Sequence, residues 1–175
     1  IKIGSLFPGF EMDLGKVGME AKEARRMSEF AAVALEASSE AIKTSGILDV
    51  PNFGEHTGVS IGGGFGGLKD LDKSVRRTIE KGMHKVDKLI AAKAIPGSAA
   101  VNVALHYGFH AGDMASVTSA CASGASNIIH GYHQIVHGDA KMMVCGGTGE
   151  TAPLNYLAFG NIGALSSDDD DPTKV

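Results

Sequence analysis

Residues 117–124 read Val-Thr-Ser-Ala-Cys-Ala-Ser-Gly, and residues 125–137 continue as ASNIIHGYHQIVH. A short apolar run gives way here to helical spacing, so the stretch reads as a strand turning into a helix with Cys121 at the corner. Helix N-termini carry unpaired N–H groups and a partial positive charge, which stabilise a thiolate and can receive the oxyanion of an attacked thioester. Ser119, Ala120, Ala122, Ser123 and Gly124 are all small and leave a substrate room to reach the sulfur. Two readings stand: a nucleophile at a helix head, or a small core residue at a corner, since free cysteine is among the most buried residue types.

At about 100° per residue, Cys121, Ala125, Ile128, Ile129, Tyr132, Ile135 and Val136 share one arc. That arc is the expected buried face, and Cys121 is expected to point inward. His130, His133 and His137 fall on the other side as a solvated face; their spacing imitates a metal site, but no metal is expected. The second cysteine, Cys145, lies in MMVCGG and is expected on a central strand as a structural residue.

The chain has 175 residues, enough for one domain with a sizeable core. Apolar residues make up 43% and charged residues 21%, as in ordinary globular proteins. A net charge of −4 disfavours nucleic acid, and the sequence has no apolar run of membrane-spanning length. Two cysteines make no disulfide framework, which favours a reducing compartment: cytoplasm, or a plastid or mitochondrial matrix in a eukaryote. The 24 glycines point to tight corners and close backbone approaches. The start at Ile1 and the finish in SSDDDDPTKV suggest a piece of a longer protein.

Helices are expected over 19–46, 68–88, 91–107 and 122–137, with Pro96 near the start of the third. Strands are expected over 57–61, 114–118 and 141–145, after an irregular start over 1–18. Residues 154–165 are ambiguous, and the aspartates at 168–171 read as a solvated turn. Alternating strands and helices predict an α/β fold with a mixed, mostly parallel sheet covered on both faces.

TSACASG, then GDA at 138–140 and VCGG at 144–147, resembles the β-ketoacyl-[acyl carrier protein] synthases, nearest the elongating condensing enzymes of type II fatty acid synthesis. The likeness extends to KEARRM at 22–27, IGGGFGGL at 61–68, IPGSAAVNVALHYGFHAG at 95–112 and ALSSDDDDP at 164–172. It implies a thiolase-like fold of two similar α/β halves, with residues 1–175 forming most of the N-terminal half and the C-terminal half absent. It also implies that Cys121 takes an acyl chain from acyl carrier protein as a thioester, before decarboxylative condensation with malonyl-acyl carrier protein. Two histidines and a lysine that assist would lie in the other half, and no cofactor is implied. A thiolase acting on acyl-CoA is the nearest rival.

The resemblance assigns further roles. Phe65, between Gly64 and Gly66, matches a gate to the acyl pocket. Leu89 and Ile90 match apolar residues reaching the partner subunit's pocket, although Lys88 stands where many members have proline. Lys22, Arg25 and Arg26 match a docking patch for the acidic carrier protein, and a second basic cluster runs through Lys69, Lys73, Arg76, Arg77, Lys81 and Lys85. A homodimer is implied, with 114–118 near the two-fold axis. Gly62 to Gly67 also satisfies G-x-G-x-x-G, so a dinucleotide-binding module is a third reading, with Asp87 near the distance of its ribose acid.

Overall fold

The structure, a computed structural model, describes residues 10–166. The start over 1–9 and the aspartates at 168–171 lie outside the described residues. Those described fall into two units, one of residues 11–150 and one containing 151–166 and Phe10. In the larger unit β1 (Thr57–Gly62) lies between β2 (Met114–Ala115) and β3 (Met142–Gly147), and both pairings are parallel. Val59 stands opposite Met114, while Thr57 to Gly62 align with Met142 to Gly147. The helices are α1 (Leu14–Val17), α2 (Ala21–Ala24), α3 (Glu29–Ser45), α4 (Phe53–His56), α5 (Leu68–Lys81), α6 (Ile90–Ala94), α7 (Ser98–Tyr107) and α8 (Ser123–His137). In the smaller unit the ambiguous stretch forms α9 (Pro153–Asn161), with proline in its first turn, where no N–H is missed.

The alternation of β1 sorts the layers, because successive side chains of a strand point to opposite faces. Val59 and Ile61 join Phe30, Leu35, Ile42, Val103 and Phe109 in the apolar core under α3 and α7. Ser60 and Gly62 face the other way, toward α8: Ser60 hydrogen-bonds Asn127, and a Cβ on Gly62 would stand 2.8 Å from Asn127 Nδ2. With a helical layer on each face and a strand on each edge, all six residues of β1 are buried. This is the expected α/β layering, and every strand pair described is parallel.

Three helical boundaries differ from the sequence reading. The stretch 19–46 breaks into α2 and α3, because Ser28 adopts an extended conformation and accepts Ala31 N–H at 3.2 Å as an N-cap. Its far end stops on Gly46 at φ 72°, in the left-handed region where glycine is at ease. The stretch 91–107 breaks into α6 and α7 at Pro96, whose ring forces the preceding Ile95 to extended ψ 141°. Helix α5 ends at Lys81 on Gly82, short of 88. Residues 114–118 form only a two-residue strand, since Val117 turns its backbone polar groups to Asn127 rather than to the sheet.

The buried face of α8 is the main correction. Ser123, Asn127, Gly131 and Gln134 point inward, whereas Ile128, Ile129, Tyr132, Ile135 and Val136 are exposed. The cause is steric and polar together. Gly131 lies so close to Cys145 Sγ on β3 that a Cβ there has no room, and Asn127 is fully bonded beneath the helix. Apolar side chains on that face would hold the helix off the sheet. Strand β3 is an edge strand among the described residues, not central, and Cys145 is part-buried.

Gly131→Ala should therefore lower stability by about 1–3 kcal/mol through overpacking. Adding Cys145→Ala should recover part of that loss, because the sulfur is what the new methyl meets. Urea unfolding of the two single variants and the double variant gives the coupling; additive losses would contradict this packing.

Candidate active site around Cys121

Cys121 sits one residue ahead of Ala122, the N-cap of α8. The residue before it, Ala120, has φ 49°, a left-handed conformation that costs an L-residue with a Cβ roughly 1–2 kcal/mol. The surrounding hydrogen bonds fix it there. Ala122 N–H donates to Ser119 O at 3.0 Å and Ser123 N–H to Ala120 O at 3.2 Å. The Ser123 hydroxyl donates to Ala120 O at 2.6 Å and accepts Ser119 N–H at 2.9 Å.

Asn127, one turn further on, uses its whole amide. Its Oδ1 accepts from Ser60 Oγ at 2.8 Å and Val117 N–H at 3.0 Å; its Nδ2 donates to Val117 O at 2.8 Å and Ser123 O at 2.7 Å. It is fully buried, so each of these bonds replaces water that is not there. The sequence reading takes Ser123 only as a small neighbour of the cysteine and passes over Asn127, although both hold the turn that carries it. Their signal was the small or polar stripe 123, 127, 131, 134, at helical spacing opposite the apolar arc.

Cys121 is exposed, not turned inward as expected. It lines a hollow of about 380 Å³ with Gly62, Gly63, Gly64, Ala120, Ser123, Gly124, Gly147, Thr148 and Gly149. The walls are mostly backbone, and the thiol is the sole ionisable side chain among them. No side chain caps α8 and no acid lies in its first turn, so the positive end of its dipole is not offset locally. The arrangement leaves the thiol open to the hollow, and no side chain in the lining could act as a general base. Burial pushes the Cys145 thiol up, only partly countered by a hydrogen bond from the Ser60 backbone.

The other sequence candidates lie in different places. Gly64 lines the hollow but Phe65 and Gly66 do not; Phe65 is half-exposed, and Gly66 is pressed against the backbone of Ala94 and Ile95. Leu89 lines a separate groove of about 500 Å³ with Arg26, Ile95, Val101 and Leu105, and Ile90 lies outside it. Lys22, Arg25 and Arg26 are exposed on α2 and the turn after it, with no ion pair among the described residues. In the second basic cluster Lys69 pairs with Glu29 at 2.5 Å and Arg76 with Asp72 at 2.9 Å. His133 and His137 stack with centroids 5.7 Å apart, and no group of metal-ligating side chains occurs among the described residues.

The glycine run does form a strand–loop–helix, but the head of α5 is taken. A Glu150 carboxylate oxygen accepts Lys69 N–H at 2.6 Å, where a pyrophosphate would need the helix dipole. Burial pushes Glu150 up from the ordinary carboxylate range. Asp87 follows no strand. It accepts Leu89 N–H at 2.9 Å and pairs with Lys93 at 3.0 Å, tying α6 to α5 through Ser74, whose hydroxyl accepts Asp87 N–H at 3.2 Å.

The Leu89 N–H, and after it Lys93, hold the Asp87 carboxyl below its ordinary value of 3.8. A carboxyl lowered by folding stabilises fully above its unfolded value and ceases to do so as pH falls through the folded one. Asp87→Asn should thus be less stable than the parent at neutral pH, with the difference shrinking below about pH 4. Thermal unfolding of both across that range reads it; a difference independent of pH would remove the ion pair from the account.

Residues 5–175 match the family model described as beta-ketoacyl synthase, N-terminal domain. The chain is 34% identical over 158 residues to a 3-oxoacyl-[acyl-carrier-protein] synthase 2 of Vibrio cholerae, covering 90% of this chain and 38% of that protein. It is 33% identical to a synthase of the same name from Staphylococcus aureus, covering 87% and 38%. The chain thus spans well under half the length of these curated relatives. A crystal structure of a beta-ketoacyl synthase from Burkholderia phymatum superimposes with a TM-score of 0.81 at 27% identity, over 94% of this chain and 40% of that one. A type II PKS acyl-carrier protein in complex with its ketosynthase also matches, with a TM-score of 0.76 at 20% identity, over 90% and 44%, a likeness of fold alone. The fold is the expected thiolase-like α/β one, and the chain belongs to the beta-ketoacyl synthase family, by its N-terminal domain.

Proposed function

We propose that this chain is the acyl-accepting part of a 3-oxoacyl-[acyl carrier protein] synthase. One observation carries the reading: an exposed cysteine at the head of α8, opening on a backbone-lined hollow, in a chain of this family. The Cys121 thiolate attacks the carbonyl carbon of an acyl thioester. A new C–S bond forms, the bond to the carrier's sulfur breaks, and that sulfur leaves as a thiol after taking a proton. Malonyl-acyl carrier protein then loses carbon dioxide, and its carbanion attacks the thioester carbonyl. A C–C bond forms, the C–S bond to Cys121 breaks, and the Cys121 thiolate leaves. The product is a 3-oxoacyl chain two carbons longer on the carrier. The proton transfers of that second step need groups that the hollow lacks, and we assign them to a second α/β half.

The exposed arc of Ile128, Ile129, Tyr132, Ile135 and Val136 is a face of the kind such a half would cover. The outer edge of β2, unpaired among the described residues and beside an exposed Met114, supports pairing with a second copy in a homodimer. Exposed Lys22, Arg25 and Arg26 offer positive charge to an acidic carrier protein, which speeds encounter. Phe65 remains our candidate gate beside the hollow, with Gly64 in its wall and Gly66 behind it, and Leu89 and Ile90 our candidates for the partner's pocket. The relatives named above are ketosynthases, which sets the thiolase reading second.

Incubation with an acyl-loaded carrier protein should add the acyl mass to this protein at Cys121, and Cys121→Ala should abolish it. Reversing charge at Lys22, Arg25 and Arg26 together should slow transfer from the carrier but not from a small acyl thioester. Intact-mass spectrometry measures both. An acyl group that still loads onto Cys121→Ala would overturn the reading.

A further inference from the structure

We infer that Ser123 is a positioning residue for Cys121: its hydroxyl holds Ala120 in the left-handed conformation that sets the sulfur at the mouth of the hollow. This rests on the functional reading just given. Ser123 is 2% exposed, and its hydroxyl both donates to Ala120 O at 2.6 Å and accepts Ser119 N–H at 2.9 Å. It thus bridges the carbonyl of the strained residue and the amide of the residue before it. An alanine at φ 49° relaxes unless its surroundings hold it, and such held conformations concentrate at reactive sites. Asn127 anchors the same turn from below by taking up Ser123 O at 2.7 Å and both polar groups of Val117. The serine therefore transmits the sheet's position to the cysteine, although it makes no bond to the thiol.

Glycine adopts positive φ without a Cβ penalty. If the hydroxyl acts by holding Ala120, then Ala120→Gly should substitute for it. The probe is the octanoyl thioester of N-acetylcysteamine, read by intact mass, with iodoacetamide labelling in parallel. Ser123→Ala should slow acylation of Cys121 roughly tenfold, the scale of a slight misplacement of reacting atoms. Iodoacetamide should still reach Cys121 readily, since it makes no demand on orientation. Part-buried Cys145 should stay protected, which shows that the fold is intact. The double variant Ala120→Gly, Ser123→Ala should recover most of the lost rate.

Acylation at the parent rate in Ser123→Ala overturns the inference and leaves the functional reading standing. So does a slow variant in which Cys145 opens to iodoacetamide, or one that Ala120→Gly fails to rescue. A parent whose Cys121 takes iodoacetamide but never the octanoyl group overturns the functional reading, and this inference with it.

Discussion

One buried amide ties the structure together. Asn127 makes four hydrogen bonds and joins three parts of the chain: β1 at Ser60, the turn-forming strand end at Val117, and the first turn of α8 at Ser123. An asparagine buried without partners would cost several kcal/mol, so the site is either complete or ruinous. Because it is complete, helix, strand and cysteine turn cannot move independently. The inverted face of α8 follows from this, since a helix with a bonded asparagine underneath must turn its isoleucines elsewhere.

Close backbone approach is the second constraint, and it explains the glycine content better than any loop flexibility. Gly131 lets α8 lie on β3, and Gly62 leaves space for the Asn127 amide. The glycine run resembles a phosphate-binding loop in its letters and its strand–loop–helix outline, but not in what its helix head and acidic residue are free to do. Its following helix already has a carboxylate at its head, and the residue nearest the ribose position is committed to a lysine. The same small residues that thin out the interior leave backbone walls around the sulfur, the room that our proposed thioester substrate requires.

Much of this was legible in the sequence. The order of strands and helices, the sheet's parallel character and the position of Cys121 at a helix head followed from periodicity and from the residues after it. The orientation of α8 did not follow, because hydrophobic periodicity assumes that the apolar face is the inward one. Here the polar stripe of Ser123, Asn127 and Gln134 finds partners inside, while the apolar arc stays outside among the described residues. The break at Ser28 was missed for a related reason: a capping serine within a long apolar pattern looks like one more tolerated residue until its hydroxyl is seen accepting Ala31 N–H. The likeness to ketosynthases located the cysteine but gave no hint of how its turn is held.

The central claim is that the Asn127 amide is locked between sheet and helix. The direct measurement is hydrogen exchange of its side-chain NH₂ group, followed by nuclear magnetic resonance beside the backbone amides of β1. Exchange as slow as that of Val59 and Ile61, requiring the same opening of the core, is the predicted result. Exchange at the rate of an exposed asparagine such as Asn52, with β1 still protected, would show that strand, turn and helix are held by something else.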